Sequence, residues 1–275
     1  MRHLATVFTL SATVLLFGCG SAPRPAPIVS TSPTTTSPTT QPVTPSIQDF
    51  TGNWQLTGAS TVPGRPSLTF AGSINQAGST VTSALHVDGS TCFNQRTTMS
   101  STGTVTADGL SITSTPVDGQ VVTLTWKYIN TIYTGTYSVS GGCDAGDQGT
   151  FTGVNVNVSD ARDWGGIFTS STQGKFSVSG NFAQNSTANP DGSVGLTGTA
   201  TFDTPCFSAS ILSPSRSFIL GTLVSIQIGT DNGIVAFLGT VDPRTEYMTG
   251  VYTVSGGTCD QTGTAVVALT GQWDY

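Results

Sequence analysis

The chain has 275 residues and a formal net charge of −6 at pH 7; 9% of its residues are charged and 36% are hydrophobic. That length suits one large or two small domains, and the apolar fraction is enough for a core, which argues against a disordered chain. Lys127 and Lys175 are the only lysines and the arginines are scattered, which excludes nucleic acid as an electrostatic partner, as well as an anionic membrane surface, because both are held by Lys/Arg clusters.

The first segment reads as a targeting sequence. "MRH" supplies a basic start, and Leu4 to Phe17 is a largely apolar stretch of 14 residues. This is the length of a signal-peptide core and too short for a membrane-spanning helix. "LFGC", Leu16 to Cys19, resembles the bacterial lipobox: a Leu three residues before the cysteine and a small residue just before it. The resemblance implies removal of residues 1–18, acylation of Cys19 at its thiol and new amino group, and a membrane partner engaged through those acyl chains. Several acyl chains anchor a protein far more firmly than one. The residue after the cysteine is Gly20. It is not the Asp that, in the family resembled, keeps many Gram-negative lipoproteins at the inner membrane, so the resemblance favours the outer membrane or periplasm.

Gly20 to Gln48 follows, with seven prolines set among Thr and Ser and no apolar periodicity. Residues 19–48 therefore read as a lipidated cysteine plus a Pro/Thr/Ser linker, extended by its prolines. In polyproline II it would reach roughly 80–90 Å at about 3.1 Å per residue.

The remainder is written twice. "TGTYSVSGGCD" (Thr134 to Asp144) returns as "TGVYTVSGGTCD" (Thr249 to Asp260), and "STCFNQ" (Ser90 to Gln95) as "TPCFSA" (Thr204 to Ala209). Trp54, Trp164 and Trp273 are 110 and 109 residues apart. Two related units, 49–160 and 161–275, account for these repeats. Within them the signal is β. In "GQVVTLTWKY", Val122, Leu124, Trp126 and Tyr128 share one face, and Thr123, Thr125 and Lys127 the other. Asp-Gly at 88–89, 108–109, 118–119 and 191–192, and Asn-Gly at 232–233, predict type I′ turns. The expected fold is all-β: two tandem, related antiparallel units, each a β-barrel or a β-sandwich of about eight strands.

Apart from Cys19, the chain has four cysteines, two in each unit. In an exported protein these read as disulfides. Three pairings are possible. The equivalent positions in the repeats favour Cys92–Cys143 and Cys206–Cys259, each closing a loop of about 52 residues, worth roughly 4 kcal/mol in the chain-entropy model.

Catalytic chemistry is sparse. Past residue 18 there is one histidine, His86, and one glutamate, Glu246. A Ser-His-Asp triad would have to use His86, which sits mid-strand on a Ser/Thr face and has no counterpart in the second unit. Most of the aspartates lie in turns, where turn geometry already explains them. "CDAGD" (Cys143 to Asp147) could offer oxygens to calcium, but the second unit keeps only Asp260 of that pair. The expectation is no catalytic residue, no metal and no cofactor. The best lead is aromatic: Trp126, Tyr128, Tyr133 and Tyr137 cluster in the first unit, while the second offers Tyr247 and Tyr252. These four are candidate ligand-binding residues, for a small apolar molecule or a carbohydrate; core packing is the competing reading.

"FTGNW", Phe50 to Trp54, resembles the Gly-x-Trp that opens the first strand of lipocalins, and "TLTWKYINTIYTGTY" resembles avidin-type strands. This implies a calycin-like barrel, although "DWGG" (Asp163 to Gly166) departs from the pattern. As a whole the chain resembles uncharacterised bacterial lipoproteins with a Thr/Pro linker and tandem Cys-containing β repeats. The resulting expectation is a lipid-anchored envelope protein that displays two disulfide-stapled β domains for binding or a structural role. The alternative is a lipocalin-like carrier of a small apolar ligand.

Overall fold

The computed structural model describes residues 47–94, 97–129, 132–156, 162–207, 210–213 and 216–268; for Tyr128, Ile129, Ile132, Arg162 and Ser210 it describes the backbone only. The signal-peptide segment, Cys19 and Trp273 lie outside the described residues.

The first repeat is a closed barrel of eight strands: β1 (Gly52–Ser60), β2 (Thr69–Ala77), β3 (Thr80–Asp88), β4 (Thr98–Thr106), β5 (Gly109–Ser114), β6 (Val121–Ile129), β7 (Ile132–Ser140) and β8 (Gln148–Asn155). Each strand pairs antiparallel with the next, and β8 returns to β1 in the register Gln55↔Val154 to Ser60↔Gly149. Closure leaves no sheet edge unpaired. Of the two expected architectures, the structure is therefore the barrel.

The second repeat closes in the same way. Its strands are β9 (Arg162–Ser170), β10 (Gly174–Gln184), β11 (Val194–Phe202), β12 (Ser210–Ile211), β13 (Phe218–Leu220), β14 (Leu223–Thr230), β15 (Gly233–Asp242), β16 (Tyr247–Ser255) and β17 (Gln261–Ala268). The place of β4 is shared by two short strands, β12 and β13, which pair with different stretches of β11. An isolated bridge from Leu212 to Ile228 ties the end of β12 to β14.

Alternation explains both interiors. On β6, Val122, Leu124 and Trp126 are buried while Thr125 and Lys127 face outward. Trp54, Leu56, Phe70, Leu85, Met99 and Leu124 are fully buried in the first barrel. In the second, Phe168, Phe176, Phe182, Leu196, Val224 and Phe237 belong to one buried cluster.

The turns correct one expectation. Among described non-glycine residues, only Asp118 and Glu246 take positive φ. The two-residue type I′ geometry thus holds at Asp118–Gly119 (φ 49° and 78°), inside the Val117↔Gln120 bridge. At two other sites the turn comes one residue earlier. Thr106 pairs with Gly109, and Thr230 with Gly233, so Ala107–Asp108 and Asp231–Asn232 make the turns and each glycine opens the next strand. Asp88–Gly89 ends a strand without starting a hairpin, and Asp191–Gly192 lies in the β10–β11 loop. The dipeptide marks a reversal; strand pairing decides its phase.

Both barrels belong to one compact unit of the chain. Asn53, fully buried on the outward side of β1, joins them. Its Nδ2 donates to the Gly221 carbonyl (2.8 Å) and to the Val156 carbonyl (3.1 Å), and its Oδ1 accepts from Gly221 N–H (2.7 Å). The amide thus pairs with the β13–β14 turn as a backbone would. Beside it, Gln55 Oε1 accepts from Thr222 N–H at 3.3 Å.

Candidate functional site

The repeated phrase builds a strap. In barrel 1, β7 is followed by Gly141 and Gly142, both at positive φ, which turn the chain to present Cys143. Cys143 bonds to Cys92 in the β3–β4 loop, and Cys259 bonds to Cys206 in the loop after β11, with Cα separations of 5.8 and 5.7 Å. In a ring of eight strands these loops come from opposite sides, so each disulfide spans one mouth of its barrel. The residue after the first cysteine of each pair, Phe93 or Phe207, is buried beneath the strap.

Under the barrel 1 strap lies a buried polar network. Tyr137 donates to Asp147 Oδ2 at 3.1 Å, and Ser60 donates to Asp147 Oδ1 at 2.6 Å. Asp144 accepts from Arg65 (2.8 Å) and Ser90, and its backbone N–H donates to Gln120 Oε1. Burial pushes the Tyr137 phenol above its ordinary value, and the Asp147 carboxylate adds to the rise against a lowering hydrogen bond from Ser60. The two carboxylates of "CDAGD" therefore serve hydrogen bonds and an ion pair inside the protein. The counterpart in barrel 2 is neutral: Tyr252 donates to Gln261 Oε1 at 3.3 Å.

By strand register the four candidate positions lie on one face of the sheet, the barrel interior, at different depths along it. Trp126 is fully buried, with the rings of Phe50, Trp54 and Phe151 around it at centroid distances of 5.8, 6.2 and 5.5 Å. It is a core residue, because the inward face of a filled barrel is not a surface. Tyr133 belongs to the same cluster, 4.7 Å from Trp54, and is only half-buried. Tyr137 is buried toward the strap, edge-on to Phe70. The Tyr128 backbone pairs with Tyr133, and its side chain is outside the description. His86 is half-buried, with its Nε2 3.0 Å from the Asp191 carbonyl of barrel 2.

Among the described residues, the two most voluminous of the open concavities found lie outside the barrels. One is a trough of about 610 Å³ across β6, β7, β8 and β1. Two cross-strand rows line it: Lys127–Thr134–Thr152–Thr57 and Thr125–Thr136–Thr150–Ala59. The other is a cleft of about 460 Å³ between the barrels, walled by β1–β3 on one side and by the segment from Gln184 to Asn189 on the other. Sequence reasoning passed over both. The trough left a trace in the alternate threonines of "TLTWK", "TGTY" and "TFTG", whereas the cleft depends on how the barrels meet.

No protein-family model and no curated protein matches the chain. Among solved structures it is similar to a crystal structure of a DUF3598-family protein of unknown function from Nostoc punctiforme, with 6% identity, 79% of this chain and 94% of that chain covered, and a TM-score of 0.24. It is also similar to kievitone hydratase from Nectria haematococca, with 8% identity, 82% and 90% covered, and a TM-score of 0.22. Likenesses this weak carry no statement about the activity of this chain.

Proposed function

We propose that this chain is an exported lipoprotein, anchored by acyl chains on Cys19 and held off the membrane by residues 20–48, whose two barrels bind through their outer surfaces and do not catalyse. The observation that carries the binding reading is the contrast between filled interiors and open exteriors. Trp54, Trp126, Phe70 and Leu124 are fully buried inside barrel 1, and concavities of about 610 and 460 Å³ lie outside. A lipocalin-like carrier would need that interior for its ligand, and both straps cross a mouth through which a ligand would enter. Two disulfides suit an oxidising compartment outside the cytoplasm. The non-catalytic reading is supported by the engagement of His86 with a backbone carbonyl and of Asp144 and Asp147 with Arg65, Ser60 and Tyr137.

Metabolic labelling with palmitate tests the anchor. The natural chain should incorporate label and partition with membranes, and Cys19→Ala should do neither. Normal labelling of that variant would refute lipidation at Cys19. Native mass spectrometry of the purified protein should find no stoichiometric apolar ligand; finding one would restore the carrier reading.

A further inference from the structure

We infer that the cleft between the two barrels binds a neutral, hydroxyl-rich chain, a glycan without charged groups. This rests on the reading of the molecule as a binding protein and assigns its site. Small-molecule sites favour domain boundaries and volumes of ~300–1,000 Å³, and this cleft, at about 460 Å³, lies at such a boundary.

The lining side chains divide into two groups. Asn53 holds Gly221 and Asn189 holds Ser193, so their amides are occupied by the fold. Ser73, Asn75 and Thr82 on barrel 1, and Asn185, Ser186 and Thr187 on barrel 2, line the same space with no side-chain hydrogen bond among the described residues. Ser73 lies deepest beside the joint. It pairs with Asn53 across β1 and β2, so it points outward from barrel 1 beside the joint, and it is 7% exposed. The residue is largely covered while its hydroxyl has no partner in the protein, so a ligand in the cleft can supply one.

The chemistry of the lining selects the ligand. No Asp, Glu, Lys, Arg or His is among the residues that line the cleft, so a charged ligand would be desolvated without compensation. Primary amides and hydroxyls each offer a donor and an acceptor, which matches the paired hydroxyls of a sugar ring. The apolar lining is aliphatic, with Ile74 and Val194 its largest members. Recognition therefore proceeds through hydrogen bonds, and the single-site affinity is modest. Many copies anchored on one surface would raise it through avidity along a polymer.

The test is calorimetric titration of the full-length protein in detergent with three neutral hexasaccharides, maltohexaose, cellohexaose and chitohexaose, and with hexagalacturonate as the anionic control. Saturable binding of at least one neutral chain, and not of the control, is expected. Asn75→Ala and Asn185→Ala should each weaken it about five- to ten-fold. Both side chains are exposed and unpartnered, so neither change should move the melting temperature. Failure of all three neutral chains to bind, preference for the anionic chain, or binding unchanged in the double variant would each overturn the assignment. Binding that survives the double variant but is lost in Thr136→Lys would place the ligand in the trough. The cleft assignment would then fail while the binding-protein reading stood. Palmitate labelling is independent of every one of these outcomes.

Discussion

In barrel 1 the large rings Phe50, Trp54, Trp126, Tyr133 and Phe151 gather toward the end where β1 begins. In barrel 2 the rings of Phe168, Phe176, Phe202, Phe207, Phe237 and Tyr252 gather toward the disulfide. Strand register shows how the exchange was made. Gly58 faces Phe151 across β1 and β8, and at the equivalent pair Phe168 faces Ala265. Trp126 faces Gly135, which has no room for a side chain: a Cβ there would meet Phe151 and lie 2.5 Å from the Trp126 Cβ. The equivalent pair in barrel 2 is Gly239 with Gly250. An eight-stranded interior needs its volume filled in good rotamers; it does not dictate which strand brings the bulk.

The outer faces differ as well. Where barrel 1 carries the threonine rows of its trough, barrel 2 carries Leu238–Val251–Thr264 and Thr240–Thr249–Val266 at the same places. Leu238 and Val251 are 53% and 56% exposed. The duplicated scaffold thus presents mainly hydroxyls on one copy and a mixture of aliphatic groups and hydroxyls on the other.

This comparison can be broken most severely at Trp126. Trp126→Ala should destabilise barrel 1 by about 3–5 kcal/mol, as for a large ring removed from a core. Barrel 2 holds glycine at the equivalent place and should melt as before, so urea unfolding of the full chain should develop a separate early transition. A loss under about 1 kcal/mol would mean that the barrel 1 interior is less well filled than its burial indicates.

The joint comes next. Asn53→Ala removes three hydrogen bonds between buried groups and should cost about 1–3 kcal/mol. It should also separate the melting of the two barrels, since Asp163 occupies the equivalent position on β9 and makes no such joint. Calorimetry with the two barrels still melting together would show that other contacts carry the coupling.

The smallest effect concerns the tyrosines under the straps. The phenols of Tyr137 and Tyr252 are both raised above 10.0, first by burial. A raised phenol holds its proton in the folded state, so its contribution is complete below pH 10.0 and declines as pH rises through the folded-state value. Asp147 adds to the rise at Tyr137, and no carboxylate does so at Tyr252. Asp147→Asn should therefore lessen the alkaline loss of barrel 1, bringing it toward that of barrel 2. Urea midpoints compared between neutral pH and about pH 11 would measure this; a steeper alkaline loss in the variant would refute the role given to the carboxylate.

Much of this was legible beforehand. Period-two alternation in "VVTLTWK" put Trp126 on the same face as Val122 and Leu124, and that face proved to be the interior. Repeated cysteines at matching positions gave the pairing Cys92–Cys143 and Cys206–Cys259, because a duplicated fold keeps its internal distances. The aromatic cluster was legible as a cluster, but its role was not, since a ring on a strand faces either a ligand or a core depending on whether the sheet closes around it.

What the sequence determined by itself is therefore local and periodic: strand faces, reversals, the duplication and the cysteine pairs. All of these follow from a side-chain period of two and from short chain distances. What only the tertiary structure decided is non-local. Closure of β8 onto β1 turned one face into a core, the strand partners set the phase of the Ala107–Asp108 and Asp231–Asn232 turns, and the Asn53–Gly221 joint made a cleft from residues 73–82 and 184–189. None of these has a sequence pattern, because each depends on where a distant strand or loop comes to lie.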